Sequence, residues 1–199
     1  MSEDEILDRA AGALDQGRIV VIPTDTVYGL AARPDSPEAV QKIFDLKGRV
    51  PDKPLSVLGP DINTLKTVAE MEERALALAS RYWPGPLTLV VRRRPWFTHN
   101  LGGGEDGSIA IRVPASELAR ALLTRTGPLA VTSANRSGDP PANSVADARE
   151  VFGDAVSVYV DGGPVIEGVA STVVSLLGVP SVLRAGPIGK DEIRQTLMS

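Results

Sequence analysis

The chain has 199 residues and a formal net charge of −4, from 21 Lys and Arg against 25 Asp and Glu. It contains no cysteine, which excludes disulfides, Cys-ligated zinc, iron–sulfur clusters and thiol catalysis. A single histidine excludes a metal site built on two histidines, and 4% aromatic residues argue against a base-stacking surface for single-stranded nucleic acid.

The beginning of the chain predicts a helix and no targeting signal. The stretch from Ser2 to Glu5 is acidic where a signal peptide would be basic, and no window approaches the roughly 20 apolar residues of a membrane span. We therefore expect a cytoplasmic protein without a membrane partner. Residues 2–16 predict an amphipathic helix, because Ser2 and Glu5 fit a capping box and Gly17 suits the C-terminal stop.

Short apolar runs separated by helical stretches follow this helix. The β-branched run 18–22 predicts a buried strand, and Ser36-Pro37 begins a helix. Further strands are predicted at 55–58, 87–91, 109–113, 129–132, 156–160, 171–177 and 181–184. Further helices are predicted at about 61–69, 71–82, 115–125 and 144–152, and from about 189. Helices separate the early strands, whereas the last three strands follow one another through short turns. The sequence thus predicts an α/β fold in one domain, residues 1–199, with a mixed sheet of about seven strands, parallel early and antiparallel late.

Polar segments follow several of these strands. One such segment comes directly after a strand, where open α/β sheets bind ligands: Pro23-Thr24-Asp25-Thr26-Val27-Tyr28-Gly29-Leu30. A polar turn that bonds its own backbone is the alternative, but two threonines, a tyrosine and a glycine together favour a site. A second segment, Thr132-Ser133-Ala134-Asn135, also follows a strand. It is likewise either a binding site or a polar turn that bonds its own backbone.

Cations gather in two further places. Three of them lie on the proline-containing loop Lys47-Gly48-Arg49-Val50-Pro51-Asp52-Lys53, a pattern that suits polyphosphate. Arg112 lies inside an alternating strand and points away from the side of Ile111 and Val113, so it is either an exposed arginine or one that lines a cleft. Arg184 ends a strand, from which it can reach a crevice.

The segment 102–107 matches a dinucleotide-binding pattern, G-x-G-x-x-G, in letters only. It opens a strand rather than a helix, so a phosphate would meet no helix N-terminus. We expect a loop there, and we expect His99, in the same irregular stretch, to be solvated and without a role. Trp83 in Trp83-Pro84-Gly85-Pro86 is expected to pack in the core.

Taken together, the motifs resemble the YrdC-like family of L-threonylcarbamoyladenylate synthases, in its short, single-domain form. The matching pieces occur in family order: PTDTVYGL (23–30), KGR with DKPL (47–55), WPGPLT (83–88), IAIRVP (109–114), TSAN (132–135), GG (162–163), STVV (171–174) and LRAG (183–186). The resemblance implies a twisted sheet around a concave basic cavity. It implies a nucleotidyltransferase that forms threonylcarbamoyl-AMP and pyrophosphate from ATP, L-threonine and bicarbonate. A separate transferase would then use this product to modify adenosine 37 of tRNA.

The resemblance also implies roles for individual residues. The predicted catalytic residues are Lys47 and Arg49. ATP, with Mg²⁺, would be bound by Arg49, Lys53, Ser108, Ser133, Asn135 and Arg184. Threonine would be bound by Thr26, Arg112, Ser171 and Thr172, with Arg112 on its carboxylate. No metal held by the protein itself is implied, and Leu58 stands where family members often have His.

Two other functions remain as alternatives at this point. One is an RNA-binding module without turnover, against which the acidic net charge and the few aromatic residues argue. A weak contact with RNA beside the catalytic function is a milder form of it. The other is a carbamoyl-transfer relative that acts on a different acceptor.

Overall fold

A nine-stranded mixed β-sheet is the centre of the computed structural model, which describes residues 2–48, 50, 53–103, 107–166 and 168–198. The strands are β1 (Val20–Ile22), β2 (Gly29–Ala32), β3 (Ser56–Leu58), β4 (Leu87–Arg92), β5 (Ser108–Arg112), β6 (Leu129–Ser133), β7 (Val158–Tyr159), β8 (Thr172–Ser175) and β9 (Ser181–Arg184). Their order across the sheet is β7-β1-β2-β6-β3-β5-β4-β8-β9.

The α/β class and the mixed sheet are confirmed, but two details of the prediction are wrong. The sheet has nine strands rather than about seven, and the strand missing from the prediction is β2. Its sequence Gly-Leu-Ala-Ala lacks the β-branched and aromatic residues that indicate strands. The predicted pairing, parallel early and antiparallel late, is confirmed for the late antiparallel pair β8–β9. It is wrong for β1–β2, which is antiparallel, and for β8 with β4, which is parallel.

The described residues also form seven α-helices, of which the first precedes β1 and the last follows β9. They are α1 (Glu3–Asp15), α2 (Pro37–Lys47), α3 (Ile62–Leu65), α4 (Glu73–Tyr82), α5 (Glu117–Thr126), α6 (Val145–Phe152) and α7 (Lys190–Met198). The capping box of α1 is confirmed, since the Ser2 hydroxyl accepts from the Glu5 amide and the Glu5 carboxylate accepts from the Ser2 amide. None of the helices described is long and apolar enough to cross a membrane.

The two faces of the sheet are covered to different extents. One face packs against α2, α4 and α6 in a core that includes Leu30, Val57, Leu89 and Ile111. On the opposite face, α1 and α5 pack over β7, β1, β2 and β6. The remaining part of this second face, over β3, β5 and β4, carries the polar side chains of the alternating strands. An open concave area with polar walls results.

Candidate active site

A cavity of about 120 Å³ lies on this partly covered face of the sheet. Polar side chains form much of its wall: Thr24, Thr26, Ser56, Thr88, Arg112, Thr132, Ser133, Ser171 and Arg184. The rest of the wall is formed by Val27, Tyr28, Gly29, Pro54, Leu58, Val131 and Ala170. Small molecules that must be oriented bind in concave sites of this kind, with a few convergent polar groups.

Arg112, on β5, lies in the cavity wall and is almost fully buried. Its Nε donates to the carbonyl of Gly85 (2.9 Å), its Nη1 to the hydroxyl of Thr26 (2.9 Å) and its Nη2 to Oδ1 of Asp25 (2.6 Å). The same carboxylate oxygen accepts from the amide of Ala115. Of the two alternatives for Arg112, the cleft-lining one is therefore confirmed.

The charge in the cavity is dominated by two guanidinium groups. Burial lowers the pKa of Arg112 below its ordinary value, the ion pair with Asp25 opposes this shift, and the nearby positive charge of Arg184 adds to it. Burial also lowers the pKa of Arg184. Arginine nevertheless stays protonated in proteins, so the cavity contains two positive charges. The carboxylate of Asp25, which is paired with Arg112, balances one of them. This arrangement favours an anionic ligand.

The segment 23–28, which precedes β2, is both a polar turn and part of the site, the two alternatives that the sequence left open. The Thr24 hydroxyl donates to the carbonyl of Val27 (2.6 Å) and accepts from the Val27 amide, as in a polar turn. Thr26 and Asp25 instead hold Arg112. The Tyr28 hydroxyl lies elsewhere and donates to the carbonyl of Gly163 (2.7 Å). The turn thus presents its functional side chains because its backbone is fixed by Thr24.

Lys47, at the end of α2, is buried beneath the loop that follows β6. Its Nζ donates to the carbonyls of Ser133 (2.6 Å) and Asn135 (2.7 Å) and to Oδ1 of Asn135 (3.1 Å). The Asn135 amide nitrogen in turn donates to the carbonyls of Arg136 and Asp139. Lys47 and Asn135 therefore hold the end of β6, where Ser133 lies, and the loop that follows it. Among the residues described, only Ser133 of these three lines the cavity.

Ser171 and Arg184 meet at another side of the cavity. Arg184 donates from Nε and Nη2 to the carbonyl of Ser171 (3.0 and 2.8 Å) and from Nη2 to its hydroxyl (3.0 Å). The Ser171 hydroxyl also lies 2.8 Å from that of Thr88. Thr88 is a cavity residue that the sequence did not identify, because it was placed in the predicted strand 87–91 and given no role in the site. The single polar residue in the strand 87–91 was the available signal.

Some predicted site residues lie away from the cavity. Thr172 lies on the opposite face of the sheet, where its hydroxyl donates to the carbonyl of Ile188 and accepts from its amide. Ser108 lines a neighbouring groove of about 330 Å³, which shares Pro54 with the cavity. Lys53 is exposed next to Pro54. Arg49 lies outside the described residues.

The segments set aside on sequence grounds stay outside the cavity. Trp83 is buried and donates from its indole to the carbonyl of Leu87, which confirms a packing role. His99 is half-buried against Phe97, with ring centroids 4.9 Å apart, rather than fully solvated. Residues 104–106 of the glycine-rich segment lie outside the described part of the chain.

Known proteins of one family resemble this chain over most of its length. The family model of the Sua5, YciO and YrdC domain, which carries the description telomere recombination, matches residues 12–186. A relative named threonylcarbamoyl-AMP synthase from Pyrococcus abyssi is 40% identical over 94% of this chain and 56% of its own length. A relative of the same name from Bacillus subtilis is 37% identical over 98% of this chain and 58% of its own length. A Mycobacterium tuberculosis protein, provisionally named for the same activity, is 41% identical over 94% of this chain and 87% of its own.

Solved structures agree with the sequence relatives. The crystal structure of P. abyssi Sua5 complexed with L-threonine has a TM-score of 0.91 and 38% identity, and it covers 98% of this chain and 58% of that one. E. coli YciO shares the fold, with a TM-score of 0.88 at 22% identity over 96% and 94% of the two chains. The motifs, the sheet and the extent of these matches agree: this chain belongs to the Sua5/YciO/YrdC family.

Proposed function

We propose that this protein is a threonylcarbamoyl-AMP synthase, which converts ATP, L-threonine and bicarbonate to threonylcarbamoyl-AMP and pyrophosphate. The observation that carries the proposal is the buried Arg112 guanidinium in a small polar cavity beside Arg184. A 38% identical structure is described as complexed with L-threonine, and relatives at 37–40% identity bear the synthase name. These likenesses and the cavity support the same substrate class.

The cavity suits the amino-acid substrate in size and in chemistry. Its volume of about 120 Å³ is below the roughly 300–1,000 Å³ typical of sites for drug-sized ligands, so one amino acid is a fitting occupant. Arg112 uses three of its five N–H groups on the protein, which leaves two for a carboxylate. Hydroxyls of Thr26 and Ser171 can contact the polar groups of threonine, and Leu58 with Val131 offers an apolar wall.

ATP would extend beyond this cavity. Arg184 at the cavity wall, with Arg49 and Lys53 by resemblance, would bind its phosphates. The resemblance gives Lys47 the same role, which would require its Nζ to exchange its hydrogen bonds to Ser133 and Asn135 for phosphate oxygens. Ser133 on the cavity wall and Asn135 behind it would lie near the nucleotide, as would Ser108 in the adjoining groove. An Arg fork and Lys point charges match phosphate oxygens, and this supports the assignment.

Mg²⁺ would enter bound to ATP as part of that substrate. The cavity wall offers mainly hydroxyls and guanidinium groups, and the neighbouring Asp25 carboxylate is engaged by Arg112 and by the Ala115 amide. Such a donor set suits a metal carried by phosphates better than a metal held by carboxylates. When bound, the ion would neutralise charge on the phosphate oxygens.

The reaction needs positioning more than a protein nucleophile. The threonine amine takes up CO₂ from bicarbonate to form a carbamate, and water is released. A carbamate oxygen then bonds to the α-phosphorus of ATP as the bond to pyrophosphate breaks. Arg112 would orient the amino acid, and the cations would stabilise charge on the leaving pyrophosphate. A chain without cysteine is suited to this chemistry.

The product would pass to a separate transferase that modifies adenosine 37 of tRNA, and the cytoplasm is the compartment we propose. RNA binding without turnover is the second candidate function, and carbamoyl transfer to another acceptor is the third. For the RNA-binding function we expect affinity to fall steeply with salt, since phosphate contacts dominate it. No described feature favours either candidate over the synthase.

Pyrophosphate release from MgATP tests the proposal. We expect release only when L-threonine and bicarbonate are both present. Release that does not depend on threonine would contradict it, and dependence on a different amine acceptor would favour the third candidate. L-Serine and L-valine are suitable comparison substrates, because each keeps the carboxylate and the amine and alters only the side chain of threonine.

A further inference from the structure

Thr88 carries a buried hydroxyl that the proposed reaction has not yet used. Its side chain, on β4, lines the cavity although the residue is only 3% exposed. Among the residues described, the partner of this hydroxyl is that of Ser171, which is 4% exposed and 2.8 Å away. Because a buried hydroxyl without a partner is unfavourable, this contact determines how both side chains are oriented.

Counting hydrogens shows what this pair offers to a ligand. Two hydroxyls have two hydrogens, and the bond between Thr88 and Ser171 uses one of them. Arg184 donates to the Ser171 oxygen and needs no hydrogen from it. One hydroxyl hydrogen therefore remains, whichever of the two residues is the donor within the pair. Since both residues line the cavity, this hydrogen is available to an acceptor atom there.

We propose that Thr88 is a substrate-positioning residue, which together with Ser171 presents one hydroxyl hydrogen to an oxygen of the amino-acid substrate. This inference rests on the proposed function. When Thr88 donates within the pair, it directs the hydrogen of Ser171 into the cavity. When Ser171 donates, Thr88 itself provides the hydrogen. Either way, removing the Thr88 hydroxyl removes the ordered donor.

The same pair adjoins the phosphate-binding side of the cavity. Arg184 makes two further hydrogen bonds to the carbonyl of Ser171, and these do not involve Thr88. Loss of the Thr88 hydroxyl should therefore weaken threonine binding while Arg184 stays in place. A positioning role would therefore change the binding of threonine and not that of ATP, whereas a general loss of folding would impair the binding of both.

The test compares Thr88→Val, which keeps the shape and removes the hydroxyl, with Thr88→Ser, which keeps the hydroxyl. We expect Thr88→Val to raise the KM for L-threonine at least fivefold while the KM for ATP changes less than twofold. Thr88→Ser should restore most of the threonine affinity. Thr126→Val is the matched control, because Thr126 has a partly buried, hydrogen-bonded hydroxyl outside the cavity and should leave both KM values unchanged.

A double-mutant cycle with Ser171→Ala completes the test, with L-threonine binding measured by calorimetry on each variant. Because the two hydroxyls act as a pair, the double variant should lose no more affinity than the more severe single variant. Additive losses, or an unchanged KM for threonine in Thr88→Val, would overturn the inference. If Thr88→Val does not fold, Thr88→Ala takes its place with the same criteria. A wild-type protein without threonine-dependent turnover would instead contradict the proposed function.

Discussion

Arg112 illustrates how a single side chain is prepared for a ligand. Three protein acceptors from two segments, the turn at Asp25-Thr26 and Gly85, fix the plane of its guanidinium, so little side-chain freedom is left to lose on binding. Asp25 stabilises the buried charge, and this partial neutralisation keeps Arg112 available to a second carboxylate. The planar fork is essential, because a lysine ammonium cannot reach three acceptors in this geometry.

Arg112→Lys should therefore weaken L-threonine binding at least tenfold, which corresponds to about 1.4 kcal/mol. Calorimetric titration with L-threonine measures the effect. Arg33→Lys is the control, since Arg33 makes a comparable fork to Asp35 outside the cavity. Equal threonine affinity in wild type and Arg112→Lys would remove Arg112 from the amino-acid site.

Single residues also show the limit of sequence reasoning. Alternation correctly indicated that Arg112 points away from Ile111, but it could not tell whether that face of the sheet is covered. The decisive partners, Asp25 and Thr26, lie 87 and 86 positions away. Ser171 and Thr172 were predicted together, yet neighbouring strand residues point to opposite faces, and only Ser171 lines the cavity.

At the scale of elements, the close contact of β2 and β6 forms part of the cavity wall. Gly29 pairs with Ser133, and a Cβ at Gly29 would lie 2.7 Å from Cγ1 of Val131 and 3.3 Å from the carbonyl oxygen of Thr132. Glycine fits at position 29 because Val131 and Thr132 of the neighbouring strand leave no room for a side chain there. Because glycine and alanine have low strand propensity, β2 was not predicted, whereas the β-branched strand β1 was predicted correctly.

Gly29→Ala should therefore destabilise the protein by about 1–3 kcal/mol, because the added methyl group overpacks the β2–β6 contact. Gly12→Ala in α1 is the matched control, since no atom lies within 4 Å of the added Cβ. This second change should stabilise the protein by about 0.5–1 kcal/mol, as alanine favours a helix over glycine. Urea unfolding measures both. Equal effects of the same sign would contradict the packing argument.

On the scale of the whole molecule, the uneven covering of the sheet explains how one fold provides both a core and a site. Helices α2, α4 and α6 bury one face, and α1 with α5 buries only part of the other. The alternating strands place Thr88 and Arg112 on the uncovered part. The net charge of −4 therefore describes the chain and not the cavity, whose wall contains Arg112 and Arg184.

The order of motifs allowed the family and fold class to be predicted, because most of the motifs lie in strands of the sheet or in the turns and loops next to them. The supporting role of Lys47 could not be predicted in this way. Its three acceptors belong to a loop 86–88 positions further along the chain, and only the packed structure brings α2 under it.

Product analysis tests the central claim most directly. The protein is incubated with MgATP, L-threonine and ¹³C-bicarbonate, and the adenylates are separated and identified by mass spectrometry. We predict a threonylcarbamoyl-AMP that carries the ¹³C label, formed in equal amount with pyrophosphate and absent when threonine is omitted. An unlabelled adenylate, or ADP and phosphate as the only products, would contradict the synthase assignment.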